Sequence, residues 1–457
     1  MKTRPIDWKR DGLVALALIA LTQLPFWVLQ ARIAIQRPLL NLDTFVAIVI
    51  MLRHRGLGLF ALAMAWMVEI NQDASVSYHF VGAVDLVDAA RFMDLVKLNH
   101  IFSWQIFLAV GAFVLCGICL YRLSSAGLRS TLPVLLIGVL AFVLDGLNGS
   151  NYAFGLRDRF QWDVNVAGSP SVTTMRSLKM AWITASEPMV RFPGPITFDR
   201  AVQWHDGHPG ASMMIVLVES MGLPASPPIR DWLASRLDTP EVERRWKVQR
   251  TAEGYYGSTV YGELRVLCGL KGHYSRLKAD DEAQCLPRRF MRDGGDAVGL
   301  HGFNLRMFDR QAWWPDLGLR PQDLSLDAAS QANVGCNDVF PGVCDGILLQ
   351  RAAMLTQYPR RLVYAVTLDT HLPLPSKEMS LRPELATLCL QESLSRDACQ
   401  MVNRLAFLLD QLQADLVRMP EPVLVLVSGD HAPPFLGAES RNAFDRTHVQ
   451  GFILEPR

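Results

Sequence analysis

Met213-Met-Ile-Val-Leu-Val-Glu219-Ser-Met-Gly222 decides the fold: an uncharged apolar run ends on a carboxylate and a turn of small residues. A buried parallel strand delivers an acid to the edge of its sheet in this way. Two later segments repeat the plan. Leu362-Val-Tyr-Ala-Val-Thr367 runs into Asp369-Thr-His371-Leu-Pro373, and Val423-Leu-Val-Leu-Val427 runs into Ser428-Gly-Asp430-His431. Three such strands would set Glu219, His371, Asp430 and His431 along one edge. Acids and histidines after strands also cap helices and close turns, so none of these residues speaks alone. Together they offer carboxylate oxygens and imidazole nitrogens, the donors that hard and borderline divalent ions take. From Ser212 onward, apolar strand candidates alternate with helical stretches over 231–237 and 399–416. That alternation predicts an α/β domain with a mostly parallel central sheet covered by helices on both faces.

The front of the chain is different material. Of 457 residues, 50% are hydrophobic, and the apolar ones concentrate before about position 150. The stretches 13–30, 101–120 and 132–147 are nearly free of charge and close to the roughly 20 residues that cross a bilayer. The stretches 42–52 and 57–70 are shorter and joined by Arg53-His-Arg55. They read as two further spans or as one re-entrant or interfacial element. The expectation is an α-helical membrane domain of about five helices over 1–148, a juxtamembrane connector over 149–204 with a helical piece at 173–185, and a catalytic domain over 205–457. Lys2, Arg4, Lys9 and Arg10, then Arg53 and Arg55, then Arg122 and Arg129 all fall on one side of such a bundle. Basic flanks stay in the cytoplasm, which puts everything after Asn148 outside the cytoplasmic (inner) membrane. The first apolar stretch is too long for a removable signal peptide and lacks a small-residue cleavage site.

Cysteine usage agrees. Cys116 and Cys119 lie within an apolar stretch, whereas Cys268, Cys285, Cys336, Cys344, Cys389 and Cys399 give the later part an even count, as an oxidising compartment favours. Cys336 with Cys344 and Cys389 with Cys399 are close enough for local bridges. A formal net charge of +1 leaves no electrostatic footprint for nucleic acid.

The Val218-Glu219-Ser220 edge, the Gly257-Ser-Thr259-Val-Tyr-Gly-Glu263 turn and the Ser428-Gly-Asp430-His431 turn resemble the sulfatase and alkaline-phosphatase superfamily. They resemble most its membrane-anchored branch, which holds lipoteichoic acid synthase and the phosphoglycerol and phosphoethanolamine transferases. Five spans followed by an extracytoplasmic α/β domain match that branch over nearly the whole chain. The resemblance implies one divalent metal ion (Mn2+, Zn2+ or Mg2+) held by Glu219, Thr259, Asp430 and His431, with Thr259 as nucleophile. A threonine at a helix start also suits an ordinary cap, but a Gly-Ser-Thr turn points amide donors at an incoming phosphate. His301-Gly-Phe-Asn-Leu-Arg-Met-Phe-Asp-Arg310 resembles the segment of that branch in which a His and an Arg contact the transferred head group. It departs from it in Phe303 and Phe308, where lipoteichoic acid synthase has a polar residue and a Trp. His371 matches a further family histidine near the phosphate, and His448 reads as structural.

Cys285-Leu-Pro287-Arg-Arg289 fits the motif in which true sulfatases convert cysteine to formylglycine. The Gly ten residues beyond the nucleophile, with its small hydroxyl neighbour, fits Thr259 with Gly269 better, and Cys285 is expected in a disulfide. The resemblance thus implies phosphoryl transfer from a membrane phospholipid donor through a phosphothreonine to an envelope glycan or lipid-glycan acceptor. Two other readings share the scaffold: a phosphodiesterase or sulfatase-type hydrolase, and a catalytically silent lipid-binding regulator. A reporter active only outside the cytoplasm should be active when fused after Asn148 and silent after Arg55; the reverse pattern would remove the envelope reading.

Overall fold

The computed structural model describes residues 8–33, 37–77, 88, 90–97, 104–125, 131–147, 166–175, 189–324, 336–340, 342–375, 379–435 and 437–457. These fall into two compact units. One holds the N-terminal helices, and the other is formed by 189–457 together with Asp88 and 90–97.

The first unit contains α1 (Trp8–Ile33), α2 (Leu42–Arg53), α3 (Arg55–Ser77), α4 (Trp104–Ser125) and α5 (Leu132–Leu147). These five helices coincide with the five apolar stretches expected as spans, and two of them meet both the length and the apolarity of a span. Only Trp8–Leu29 and Phe107–Ser124 are long and apolar enough to cross a membrane among the described residues. With 12 residues, α2 extends about 18 Å against the roughly 30 Å of a bilayer core. The second half of α3 carries Glu69, Asn71 and Gln72, and α5 stops at 16 residues. Of the expected connector, the piece at 173–185 is described only to Met175, and residues 170–175 are helical. Asn148 lies outside the described residues.

The second unit is built on one eight-stranded sheet. Its strands are β1 (Met213–Val218), β2 (Gly222–Pro224), β3 (Trp246–Gly254), β4 (Asp296–His301), β5 (Arg320–Asp323), β6 (Arg361–Val366), β7 (Leu424–Gly429) and β8 (Phe444–Pro456). They lie in the order β2-β8-β7-β1-β6-β4-β5, with β3 also paired to β8. The run from β7 to β5 is parallel. The sheet as a whole is mixed, because β8 runs antiparallel to β7, β2 and β3. Among its described residues the short segment joining β7 to β8 holds the helix Ala438–Asn442, and β8 returns antiparallel without the long crossover that a parallel neighbour needs.

Every residue of β1 and β7 is buried. Alternate side chains feed two cores, as the period of a strand requires. Met214, Val216, Val427 and Val363 pack with Leu405 and Leu409 of α6 (Arg396–Arg418) on one face. Met213, Ile215, Leu217 and Tyr364 pack with Leu264 and Leu267 of α7 (Thr259–Cys268) on the other. Helices thus cover both faces as expected, and the helix foreseen at 399–416 extends by a few residues at each end.

Disulfides join Cys336 to Cys344, Cys389 to Cys399 and Cys268 to Cys285. The first two are the local pairs expected from spacing, and the third takes up Cys285. Removing the Cys268–Cys285 bridge, which closes a loop over a separation of 17 residues, should lower stability by about 3 kcal/mol on the loop-entropy scale. Denaturant unfolding of the Cys268→Ala, Cys285→Ala double variant measures this; an unchanged midpoint would show that the bridge does not constrain the unfolded chain.

Candidate active site

Strand register brings the site together. Val218 of β1 pairs with Gly429 of β7, so the next residues, Glu219 and Asp430, emerge side by side from neighbouring strands. Val366 of β6 lies level with Leu217 on one side and with His301 of β4 on the other. The expected edge therefore forms for Glu219, Asp430, His431 and the turn carrying His371, and His301 at the end of β4 joins it, which the sequence reading had not foreseen.

Thr259 begins α7, preceded by Ser258 at the cap and by Gly257 at a φ of 72°. Its hydroxyl donates to Glu219 Oε2 at 3.1 Å. The helix reaches the strand ends because Gly262 lacks a side chain: a Cβ there would stand 3.1 Å from Asp430 Cα. One turn on, Arg265 donates to the Ser428 hydroxyl and to the carbonyls of Gly429 and Asp430. A fully buried guanidinium thus holds the turn that presents Asp430 and His431.

Glu219, Asp430 and His431 are all buried, and ligand atoms from the three lie within 4.8 Å of one another. His431 Nδ1 bonds the Ala432 carbonyl at 2.9 Å. In the neutral ring this fixes the tautomer and presents the Nε2 lone pair, 3.3 Å from Asp430 Oδ2 and 3.7 Å from Glu219 Oε1. Asp430 Oδ2 is buried and accepts no hydrogen bond among the described residues. Two buried carboxylates beside an imidazole lone pair are stabilised by positive charge between them, whether a proton or a cation. Burial, then the neighbouring Glu219, pushes the Asp430 carboxyl up to about 7. Burial likewise raises Glu219, against hydrogen bonds from Ser220 and Thr259. The group fits one divalent ion held by Glu219, Asp430, His431 and the Thr259 hydroxyl. The other cluster with ligand-like spacing, Cys336, Cys344 and Asp369, is unavailable because its cysteines form a disulfide.

His301 and His371 border this centre. The Nδ1 of His301 bonds the Val366 carbonyl at 3.0 Å, and that of His371 bonds the Leu372 carbonyl at 2.6 Å. Burial lowers His301 to about 3 and His371 to about 4. Both rings are therefore neutral near pH 7, with Nε2 as the acceptor nitrogen.

Arg310 stands differently from its expected grip on a substrate phosphate. Its side chain is 2% exposed, and its Nε and Nη2 both reach Glu263 Oε1 at 2.9 Å. Trp314 donates to the other oxygen of the same carboxylate. Its positive field still favours the ionised form of Glu219. His448 is about half exposed beside Asp445 and belongs to the antiparallel edge of the sheet.

Sequence reasoning passed over several residues that shape the site. Ser220, at a φ of 55°, donates its hydroxyl to Glu219 and its amide to Asp430. Thr367 accepts the Glu219 amide, and Thr370 donates to the Glu219 carbonyl. Asp345 accepts the amides of Leu368 and Asp369, fixing the turn that leads to His371. Glu263 and Arg265 carried a readable signal, two charges within an otherwise apolar helix.

No protein-family profile matches the chain, and no curated protein matches it. Solved structures similar to it include the lipoteichoic acid synthase LtaP from Listeria monocytogenes, 13% identical, covering 61% of this chain and 71% of that one with a TM-score of 0.38. The Streptococcus pyogenes phosphoglycerol transferase GacH, in complex with sn-glycerol-1-phosphate, is 13% identical over 58% of this chain and 77% of its own, with a TM-score of 0.37. The C-terminal periplasmic domain of EcEptC from Escherichia coli, in complex with Zn, is 14% identical over 54% and 73%, with a TM-score of 0.34. Likenesses of this strength carry no argument about this chain, whose chemistry rests on its own residues.

The raised Asp430 carboxyl sets a pH test. Without a metal, the folded chain binds a proton there up to about pH 7, whereas the unfolded chain loses it near 3.8. The folded state then holds more protons than the unfolded one, so metal-free stability falls as pH rises through that window. A divalent ion should restore stability most at the upper end, where it meets no competing proton. Thermal unfolding of the full chain with and without chelator reads this; a stabilisation independent of pH would place the ion elsewhere.

Proposed function

We propose that this chain is a metal-dependent transferase that moves a phospholipid head group, phosphoglycerol or phosphoethanolamine, onto an extracytoplasmic envelope glycan or lipid glycan. The observation that carries the reading is the Thr259 hydroxyl, seated at the start of a buried helix and hydrogen-bonded to Glu219 within a cluster whose carboxylates and imidazole could hold a cation. A threonine hydroxyl is a poor nucleophile until its surroundings favour the alkoxide. A divalent ion held by Glu219, Asp430, His431 and Thr259 would supply that bias and neutralise charge on the phosphate.

The remaining chemistry belongs to side chains of this chain. Thr259 Oγ1 attacks phosphorus, the bond to the diacylglycerol oxygen breaks, and diacylglycerol leaves with the proton that Thr259 gave up. The amides opening α7 face the phosphoryl oxygens. In the second step an acceptor hydroxyl attacks the phosphothreonine, and its proton returns to Thr259. The Nε2 atoms of His371 and His301, neutral and accepting, suit the relay of that proton. No proton is consumed over the cycle. Two apolar helices long enough to cross a bilayer suit a donor that stays in the membrane; the multi-pass anchor and the extracytoplasmic placement are parts of the same proposal.

Thr259→Ala should reduce transfer from a phospholipid labelled in its head group by about a thousandfold or more, while circular dichroism and melting stay near wild type. Label trapped on wild-type enzyme should map to Thr259. Full activity of Thr259→Ala would mean that the nucleophile is misplaced. Turnover of the donor to free head-group phosphate, undiminished by the absence of any glycan or lipid acceptor, would identify a hydrolase instead.

A further inference from the structure

The catalytic unit includes a piece of chain from far upstream. Asp88 and 90–97 lie between α3 and α4 in sequence, yet they are built into the same unit as the sheet. Their contacts converge on the residues just before Arg310. Buried Asp88 accepts the Tyr274 hydroxyl at 2.6 Å and lies 3.2 Å from His273 Nε2. Arg91 Nη1 bonds Asp309 Oδ2 at 2.6 Å, and the Tyr274 hydroxyl approaches the same oxygen at 3.4 Å. The Phe92 ring meets the Phe308 ring edge-on, with centroids 6.0 Å apart. The Lys97 amide donates to the Val339 carbonyl at 2.9 Å.

What these contacts hold is a strained turn. Phe308 and Asp309 both adopt the left-handed region, at φ of 56° and 52°. Neither is glycine, and a residue with a side chain stays in this region only where its surroundings enforce it. The next residue, Arg310, runs into the buried pair with Glu263, one turn beyond Thr259 on α7. Relaxing the turn would redirect Arg310 and unpair Glu263, leaving an uncompensated buried carboxylate beside the nucleophile's helix.

We propose that Asp88, Arg91 and Phe92 are positioning residues for the active site: a clamp from the α3–α4 segment that enforces the Phe308–Asp309 turn and so fixes Arg310 and Glu263 behind Thr259. The clamp rests on the head-group transfer reading for its effect on rate, but not for its effect on backbone order. The segment between two N-terminal helices thereby becomes a part of the catalytic unit without touching the reacting atoms.

The test uses the full-length chain in detergent with a phospholipid donor. Arg91→Ala should speed amide hydrogen exchange across 305–310 and lower kcat for head-group transfer about tenfold, with donor KM and melting temperature nearly unchanged; Arg91→Lys should recover most of the loss. In an Asp309→Gly background, where the turn is unstrained and the partner carboxylate is gone, Arg91→Ala should add little. Wild-type exchange in Arg91→Ala, or effects of the two substitutions that simply multiply, would overturn the clamp. Absence of transfer by the wild-type chain would instead count against the function reading, and the exchange measurement would still decide on the clamp.

Discussion

Two carboxylates, Glu219 and Asp430, end adjacent buried strands and face each other out of reach of water. Like charges at such a place repel and are poorly solvated, so the fold around them is organised to make the arrangement tolerable. Ser220 donates both its hydroxyl and its amide, the Thr259 hydroxyl points inward, and the His431 amide bonds Asp430. Arg310 contributes a positive field. These donors meet Asp430 Oδ1 but not the buried Asp430 Oδ2, where a divalent cation would add the positive charge that the proposed function calls for.

The helix α7 carries three duties at different depths. Its first residue supplies the hydroxyl, Gly262 allows the backbone to approach Asp430, and Glu263 and Arg265 tie the helix to the loop at Arg310 and to the turn after β7. All ten of its residues are buried. A Cβ at position 262 would stand 3.1 Å from Asp430 Cα, so the helix or the turn after β7 would have to give by a few tenths of an ångström. Glu263 and Arg265 each have buried partners with fixed directions, so exchanging either for an apolar residue would strand the other half of its network.

Much of the site was legible because strands alternate and end abruptly. Apolar runs at β1, β6 and β7, each followed by chemistry-bearing residues, placed Glu219, Asp430, His431 and the His371 turn at one edge, and the register of the sheet brings them level. Short spacing sufficed for Cys336–Cys344 and Cys389–Cys399, because a short loop leaves little freedom in where its ends meet. The direction of β8 was not legible, since the connection after Asp430 does not announce whether it crosses the sheet. Nor were the lengths of the N-terminal helices: hydropathy marked five apolar stretches, but helix ends depend on where polar residues such as Glu69 find partners, here Arg37 and Asn41.

By itself, the sequence determined the α/β class, the three strands β1, β6 and β7 and the kinds of donor gathered at their ends, because these follow from periodicity and local composition. Tertiary structure alone decided the partner of Arg310, the assignment of Asp88 and residues 90–97 to the unit that holds the sheet and the pairing of Cys268 with Cys285. The physical reason is range. A strand's faces and its end are set by neighbours within a few residues, whereas an ion pair between positions 263 and 310, or 91 and 309, depends on which surfaces the whole chain folds against one another.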